Sequence, residues 1–469
     1  MSTDCTGQRF LFQGPNRREI VASFDGGRIS SDGGAVLLRE VDCRRRIVER
    51  LSECFSDARE PGQIEHTVLD LLRQRIYGLA LGYEDLNDHD ELRTDALLAA
   101  VVGKQDPTGQ RRCRERDRGK PLAGKNTLHR LEWGTLAEAQ EDRYRRIAVS
   151  PEAVDRFFVD VFLDAHDEPP EEIVLDLDAT DDPLHGSQEG RFFHGYYRCY
   201  CYLPLYIFCG RHLLCARLRR SNIDASAGSV EELERIVEQI RKSWPEVRII
   251  VRGDGGFARE AIMAWCEEHA VDYVFGLARN RRLQAVLEDA FERAEALCAD
   301  SGEPERVYDE WMHATLNSWS RERRVIGKAE ITIRGENPRF VVTSLADAPA
   351  TVYEAIYCAR GDMENRIKEQ QLQLFATRTS ARLMRVNQVR LWLSSAAYVL
   401  INELRRLGLV GTELATAYCS TVRTKLLKIG ARVRVTARKV WVSLASAYPH
   451  QAVFARAYDQ LQRAGPVAA

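Results

Sequence analysis

No Cys-x-x-Cys pair occurs in the chain, although it has 12 cysteines among 469 residues. Zinc sites are built from closely paired ligands, so this absence argues against one. The cysteines are expected to be reduced thiols, mostly buried. Long apolar runs are missing too. The longest, at about residues 391–401, is broken by serines and falls well short of the roughly 20 residues that cross a bilayer. Residues 1–4 carry neither the basic start nor the apolar stretch of a signal peptide, which points to the cytoplasm. No internal repeat or dominant low-complexity tract is present, which excludes solenoid, collagen and coiled-coil architectures. What remains is an ordinary globular balance, 45% hydrophobic and 29% charged, in a chain long enough for about three domains.

Lysine is the scarce cation: nine lysines stand against 58 arginines, and the net charge is −2. A near-neutral total would speak against a nucleic-acid partner, but the distribution speaks for one. Residues 421–440 carry Arg423, Lys425, Lys428, Arg432, Arg434, Arg438 and Lys439 with no acid. Residues 110–125 carry seven cations against Glu115 and Asp117, and residues 376–390 carry Arg378, Arg382, Arg385 and Arg390 unopposed. Arginine binds phosphate through a planar, always-charged fork. Three basic segments in a neutral chain therefore fit a polyanion-facing side.

Residues 1–34 read as strand and turn, with Asp25-Gly26-Gly27 and Asp32-Gly33-Gly34 as turn signals. Apolar residues then recur at helical spacing to about residue 165, around a basic loop at 106–124. At Pro169-Pro170 the texture changes. Residues 173–178, 196–209 and 212–218 are predicted strands, 229–244 and 258–269 helices, and 247–251 and 273–277 strands again. Three sequential strands followed by alternation predict a mixed sheet with helices on its faces. Residues 311–345 are again mostly β, and helical patterns resume at 351–375 and 386–407.

Acids at strand ends are the strongest chemical signal. Asp178 closes Ile173-Val174-Leu175-Asp176-Leu177-Asp178, and Asp254 follows Ile249-Ile250-Val251-Arg252-Gly253. A carboxylate at the carboxyl end of a buried strand sits at the mouth of the sheet, where open α/β sheets place their sites. Hard oxygen ligands on adjacent strands suit Mg²⁺. On the helix predicted at 353–374, Tyr357, Arg360, Glu364 and Lys368 share one face at i, i+3, i+7 and i+11. That face reads either as a solvated surface with Arg–Glu or Glu–Lys pairs, or as a third carboxylate flanked by phosphate-binding groups. Trp311 and Trp319 read as the core of a small sheet or as stacking partners for a base. Trp319 is the better placed of the two, since Ser318-Trp319-Ser320 leads into Arg321, Arg323 and Arg324. His185 and His194 read as polar packing or phosphate contacts.

Taken in chain order, Asp178-Ala179-Thr180 after a strand, Arg252-Gly253-Asp254-Gly255-Gly256-Phe257 after a later strand, and Tyr357, Arg360 and Glu364 on a helix resemble the DDE transposases of bacterial insertion sequences. The best match is the insertion-sequence thirteen-eighty family, which Phe24-Asp25-Gly26-Gly27, Ser30-Ser31-Asp32-Gly33-Gly34-Ala35 and His185-Gly186 also resemble. The resemblance runs from about residue 20 to 450. It implies that Asp178, Asp254 and Glu364 are the catalytic, metal-binding triad for two Mg²⁺ ions, with Mn²⁺ as a possible substitute. Asp176 competes for the first place, and Asp178 is preferred because it precedes Ala179-Thr180 in the D-x-T form. The signature's lysine, seven residues after the glutamate, is here Gln371, a departure from the pattern for which Lys368, one turn after Glu364, is the expected substitute.

The resemblance further implies an α/β fold with a ribonuclease-H-like catalytic core, a mixed sheet flanked by helices and interrupted by a β-rich insertion. The expected parts are a mainly helical end-binding region at 1–168, core at 169–279, insertion at 280–350, core with the Glu364 helix at 351–408, and a basic region at 409–469. Tyr357, Arg360, Lys368, Trp319, Arg323, Arg324, Arg432, Arg434, Arg438 and Lys439 are the expected DNA contacts. The expected partners are double-stranded DNA, as transposon ends and as target, and a second copy of the chain in a synaptic homodimer. No membrane is expected, and the location is cytoplasmic, at the nucleoid. The rival expectations are a domesticated, non-catalytic DNA-binding protein and a metal-dependent nuclease of the same fold.

Overall fold

The computed structural model describes residues 9–13, 18–134, 144–333 and 335–465; the expectation about residues 1–4 lies outside them. The chain forms two compact units, residues 149–402, and residues 1–148 together with 403–469. The expected borders at 168/169 and 408/409 thus move to 148/149 and 402/403. The basic C-terminal region is not a separate part, since it folds with the N-terminal helices.

The larger unit is built on a mixed sheet of β1 (Glu172–Ala179), β2 (Leu205–Cys209), β3 (His212–Arg217), β4 (Arg248–Gly253), β5 (Asp272–Leu277), β6 (Arg306–His313), β7 (Arg323–Thr332) and β8 (Arg339–Thr343). Their spatial order is β3-β2-β1-β4-β5-β8-β7-β6, and Gly335–Glu336 pairs off β7. β1, β4 and β5 run parallel, and the other pairings are antiparallel. The β-branched run Ile249-Ile250-Val251 is buried on both faces, as a central parallel strand requires.

One face of the sheet, with Leu175, Leu177, Ile249, Val251, Tyr273, Phe275, Phe340 and Val342, packs against α1 (Pro151–Leu163), α2 (Ser229–Ser243), α3 (Glu260–Glu268) and α4 (Glu288–Ser301). Ser150 caps α1 by accepting the Ala153 N–H, with Pro151 in the first turn. The opposite face, with Val174, Ile250, Val274, Ile326 and Val341, receives Val352, Tyr353, Ile356 and Tyr357.

Two expectations change. The β-rich stretch within 280–350 does not leave the core and return. β8 pairs with β5 and carries β7 and β6 outward, so these strands extend the same sheet. The strand expected at 196–209 is two strands, Cys199–Tyr202 in a small three-stranded sheet and β2 in the large one. Pro204, which has no N–H to give a ladder, separates them.

Asp176, the competitor for the first catalytic place, is buried at 3% exposure and holds the Arg252 guanidinium at both carboxylate oxygens, 2.5 and 2.7 Å away. Arg252 also donates to the Ile356 carbonyl. The pair ties β1 and β4 to the helix that follows residue 350. Asp176→Ala would leave a buried guanidinium uncompensated, and is expected to lower stability by about 3–5 kcal/mol in urea titration.

The smaller unit is mainly helical, with Ala35–Arg45, Ile47–Glu53, Val68–Leu81, Ala96–Val102 and Lys125–Trp133. Thr67 and Asp70 form a reciprocal capping box on Val68–Leu81. Its three-stranded sheet orders Val440–Leu444, Ala431–Val435 and Ile29–Ser30. The Asp32-Gly33-Gly34 signal has a structural cause here. The Gly33 and Gly34 amides donate to Ile429 and Leu427, and a Cβ at 34 would collide with the Leu426 carbonyl. Asp32 accepts from Tyr83 Oη and pairs with Lys428 Nζ, each at 2.6 Å.

Candidate functional site

In the parallel β1–β4 ladder, Arg252 is level with Asp176 and Gly253 with Leu177. One further step puts Asp254 beside Asp178, at the carboxyl ends of strands about 4.8 Å apart. Asp254 is held by its own turn, where Oδ1 accepts the Gly256 N–H at 2.8 Å. Phe257 is buried, and a Cβ at 253 would come within 3.0 Å of it. The glycine before Asp254 is therefore set by packing.

The helical stretch over the site is not uniform. Thr351–Tyr357 has wide π turns, Cys358–Arg360 a tight one, α5 (Gly361–Lys368) is regular, and Glu369–Gln373 is wide again. π turns inside helices often mark functional sites. Here they bring Tyr357 and Arg360 down onto the sheet. A Cβ at Gly276 would run into Tyr357 Oη, so β5 needs glycine there. Burial, with Asp254 nearby, raises the Tyr357 phenol above its ordinary pKa and keeps it a donor.

Arg360 lies between the acids, with Nη1 3.6 Å from Asp178 Oδ2 and Nη2 donating to Glu364 Oε1 at 3.0 Å. Burial, together with the Asp254 and Glu364 charges, pushes the Asp178 carboxyl up to about 7 against the pull of Arg360. Among the described residues, no group of three or more acid, histidine or cysteine side chains forms a ready metal cage. Like charges repel without a cation, and here the guanidinium supplies the positive charge. Lys368 is exposed. Gln371, at the signature's lysine position, donates to the Asp181 carbonyl at 3.0 Å.

Asp182, beyond β1, is buried and accepts from Thr379 Oγ1 at 3.3 Å, and burial also pushes it up to about 7. An acid whose folded pKa is raised contributes stability that is full below its unfolded value near 3.8 and is lost as pH rises through about 7. These two acids therefore contribute a fall in unfolding free energy between roughly pH 4 and pH 7, opposed by His66 and His89, which burial holds down to about 3. Asp182→Asn should flatten that fall, as measured by urea titration across pH.

Three expected DNA contacts are otherwise engaged. Arg323 is buried at 3% and bound by Glu260 and Glu267. Arg324 is spent on Glu310 and on the Leu345 and Asp347 carbonyls. Trp319 packs against the core with its ring near Arg323. The arginines follow Trp319 in sequence, but the strand's alternation turns Arg323 onto the acids of α3.

Arg432, Arg434, Arg438 and Lys439 are exposed, on or next to the ribbon formed by Ala431–Val435 and Val440–Leu444. Trp441, which pattern reading passed over, lies opposite Arg434 in register, 47% exposed, with Arg434 and Lys439 each 5.5 Å from its ring centre. The β-branched and aromatic run Val440-Trp441-Val442, directly after Arg438-Lys439, could have flagged it. His185 is exposed, and His194 lies against the Tyr197 ring.

Paired acids at the ends of two adjacent parallel strands, faced by a helix carrying Arg360 and Glu364, define an acid-centred site at the mouth of a mixed sheet. The family model for the transposase DDE domain, group 1, matches residues 12–466. The chain belongs to that DDE transposase family. No curated protein matches it. Among the described residues, no helix is long and apolar enough to cross a membrane.

Proposed function

We propose that the chain is the transposase of an insertion sequence of the thirteen-eighty type, acting through a ribonuclease-H-like core. It binds the terminal inverted repeats and catalyses Mg²⁺-dependent strand cleavage and transfer. The observation that carries the reading is Asp178 beside Asp254, with Arg360 linking Asp178 to Glu364 across from them.

The donor set suits a divalent ion. It consists of hard carboxylate oxygens, and Asp178 is held near neutrality by a burial and charge penalty that a cation would relieve. Asp178, Asp254 and Glu364 would hold Mg²⁺, or Mn²⁺ in its stead. Divalent ions held by these residues would supply Lewis acidity for a displacement at phosphorus. Arg360 compensates the carboxylates and offers a planar fork to a phosphate oxygen. Tyr357 offers an O–H, and exposed Lys368 a second cation. The ribbon of Arg432, Arg434, Arg438 and Lys439 holds duplex backbone. The synaptic form is a homodimer holding two ends, and the protein works at the nucleoid.

The test is to incubate the purified chain and Mg²⁺ with labelled fragments flanking its coding sequence. Nicking at defined ends followed by joining to target supports the reading. Cutting without joining would leave a nuclease. Binding without cutting would leave a domesticated DNA-binding protein.

A further inference from the structure

Residues 190–202 contain six Phe or Tyr residues, Arg191, His194 and Arg198, and no acid. They fold as a hairpin of Phe192–His194 and Cys199–Tyr202, to which Asp182–Pro183 adds a third strand. The base of the hairpin is anchored, with Cys201 and Tyr202 fully buried and Tyr202 Oη donating to the Glu189 carbonyl at 2.7 Å. Its outer part is not. Phe192, Phe193, Tyr196 and Tyr200 are 38%, 58%, 84% and 45% exposed. Phe193 and Tyr200 face each other across the strands with ring centres 5.6 Å apart, and the Arg191 guanidinium lies 4.2 Å over Tyr200. At the tip, Arg198 adopts a left-handed backbone with φ 56°, a conformation that persists only where the surroundings impose it.

This apolar surface stands next to the acids. Tyr197 Oη donates to the carbonyl of Ala179, the residue after Asp178, at 3.3 Å. Phe193 and Tyr200, with Arg191 over the Tyr200 ring, share one face of the hairpin, and Tyr196 is exposed in its turn; exposed aromatics of this kind mark binding sites. Arg191 and Arg198 among the rings, with no acid within residues 190–202 themselves, favour a polyanion. Aromatic side chains with interspersed arginine are the usual platform for unpaired bases, which present a π face that a duplex interior hides.

We propose that the hairpin Phe192–Tyr202 is a stacking subsite for unpaired bases at the terminus of the DNA strand reacting at Asp178 and Asp254, with Phe193, Tyr196 and Tyr200 as the platform and Arg191 and Arg198 on its phosphates. The proposal rests on the transposase reading and adds a substrate-handling element outside the acid site and outside the expected DNA contacts.

The test compares the full chain, in EDTA so that no strand is cut, on three fragments: a fully paired element end, the same end with its terminal bases mismatched, and a random duplex. Stacking favours the splayed end, by roughly tenfold for each base held. The triple variant Phe193→Ala/Tyr196→Ala/Tyr200→Ala is expected to bind both forms of the end equally. The variant Phe193→Tyr/Tyr196→Phe/Tyr200→Phe, which keeps the rings, should retain the preference. All three positions are exposed, so unchanged thermal midpoints check the fold. Equal binding of paired and splayed ends by the unaltered chain would overturn the proposal, as would a preference that survives the triple alanine change. So would a change only in oligomeric state, by light scattering, which would assign the patch to protein contact. If the unaltered chain does not prefer either end over the random duplex, the transposase reading falls with it.

Discussion

Asp178→Asn, Asp254→Asn and Glu364→Gln are each expected to slow strand cleavage on the order of a thousandfold or more while leaving affinity for element ends nearly unchanged. Each change removes a charge without removing volume. Cleavage loses a donor, whereas end binding rests on arginines elsewhere. The physical signature differs by position. Asp178 is held near neutrality by burial and its acidic neighbours, so Asp178→Asn should not destabilise the fold and should raise its thermal midpoint at pH 8. Asp176→Asn, which breaks the buried pair with Arg252, should lower that midpoint. Cleavage assays beside melting curves thus separate two aspartates only two residues apart. Full cleavage by any one of the three variants would remove that residue from the triad. Lost cleavage accompanied by lost end binding would point to a folding defect.

The second large effect concerns affinity. Neutralising Arg432, Arg434, Arg438 and Lys439 together is expected to weaken binding to every duplex alike. The plot of log affinity against log salt should flatten by roughly 0.9 for each phosphate that these side chains no longer neutralise. At low salt that amounts to a weakening on the order of a hundredfold or more. These side chains are exposed, so the melting temperature should hold. Trp441, uncharged and opposite Arg434, provides an internal control. Trp441→Ala should leave the salt slope unchanged whatever it does to affinity. A slope unaltered by the fourfold change would mean that the ribbon faces solvent or protein.

Much of the site is legible in the chain because its parts are local. Ile173–Asp178 is a largely apolar run ending in an acid, Ile249–Val251 a β-branched run followed three residues on by Asp254, and a buried strand leading to a carboxylate needs little context to be recognised. Tyr357, Arg360 and Glu364 share a face by helical spacing alone. Other features depended on partners remote in sequence. Arg323 and Arg434 look alike in sequence, each a cation near a tryptophan. One meets Glu260 and Glu267 of a helix packed against it and is buried, while the other stays on an open ribbon. Gly276 carries no local signal, and only the arrival of Tyr357 gives it a role.

The sequence by itself determined the mixed α/β character, the strand-end acids, the helix face carrying Arg360 and Glu364, and the basic segment at 421–440, because periodicity and composition act within one element. Only the tertiary structure decided that the β-rich stretch at 306–343 extends the main sheet, that the two ends of the chain fold as one unit, that Asp176 is a structural partner of Arg252, and that the aromatic hairpin stands beside Asp178. Each of these is a pairing between segments far apart in the chain. A strand's edge or a charged side chain specifies the kind of partner it needs, and the packing of the whole core selects which one it meets.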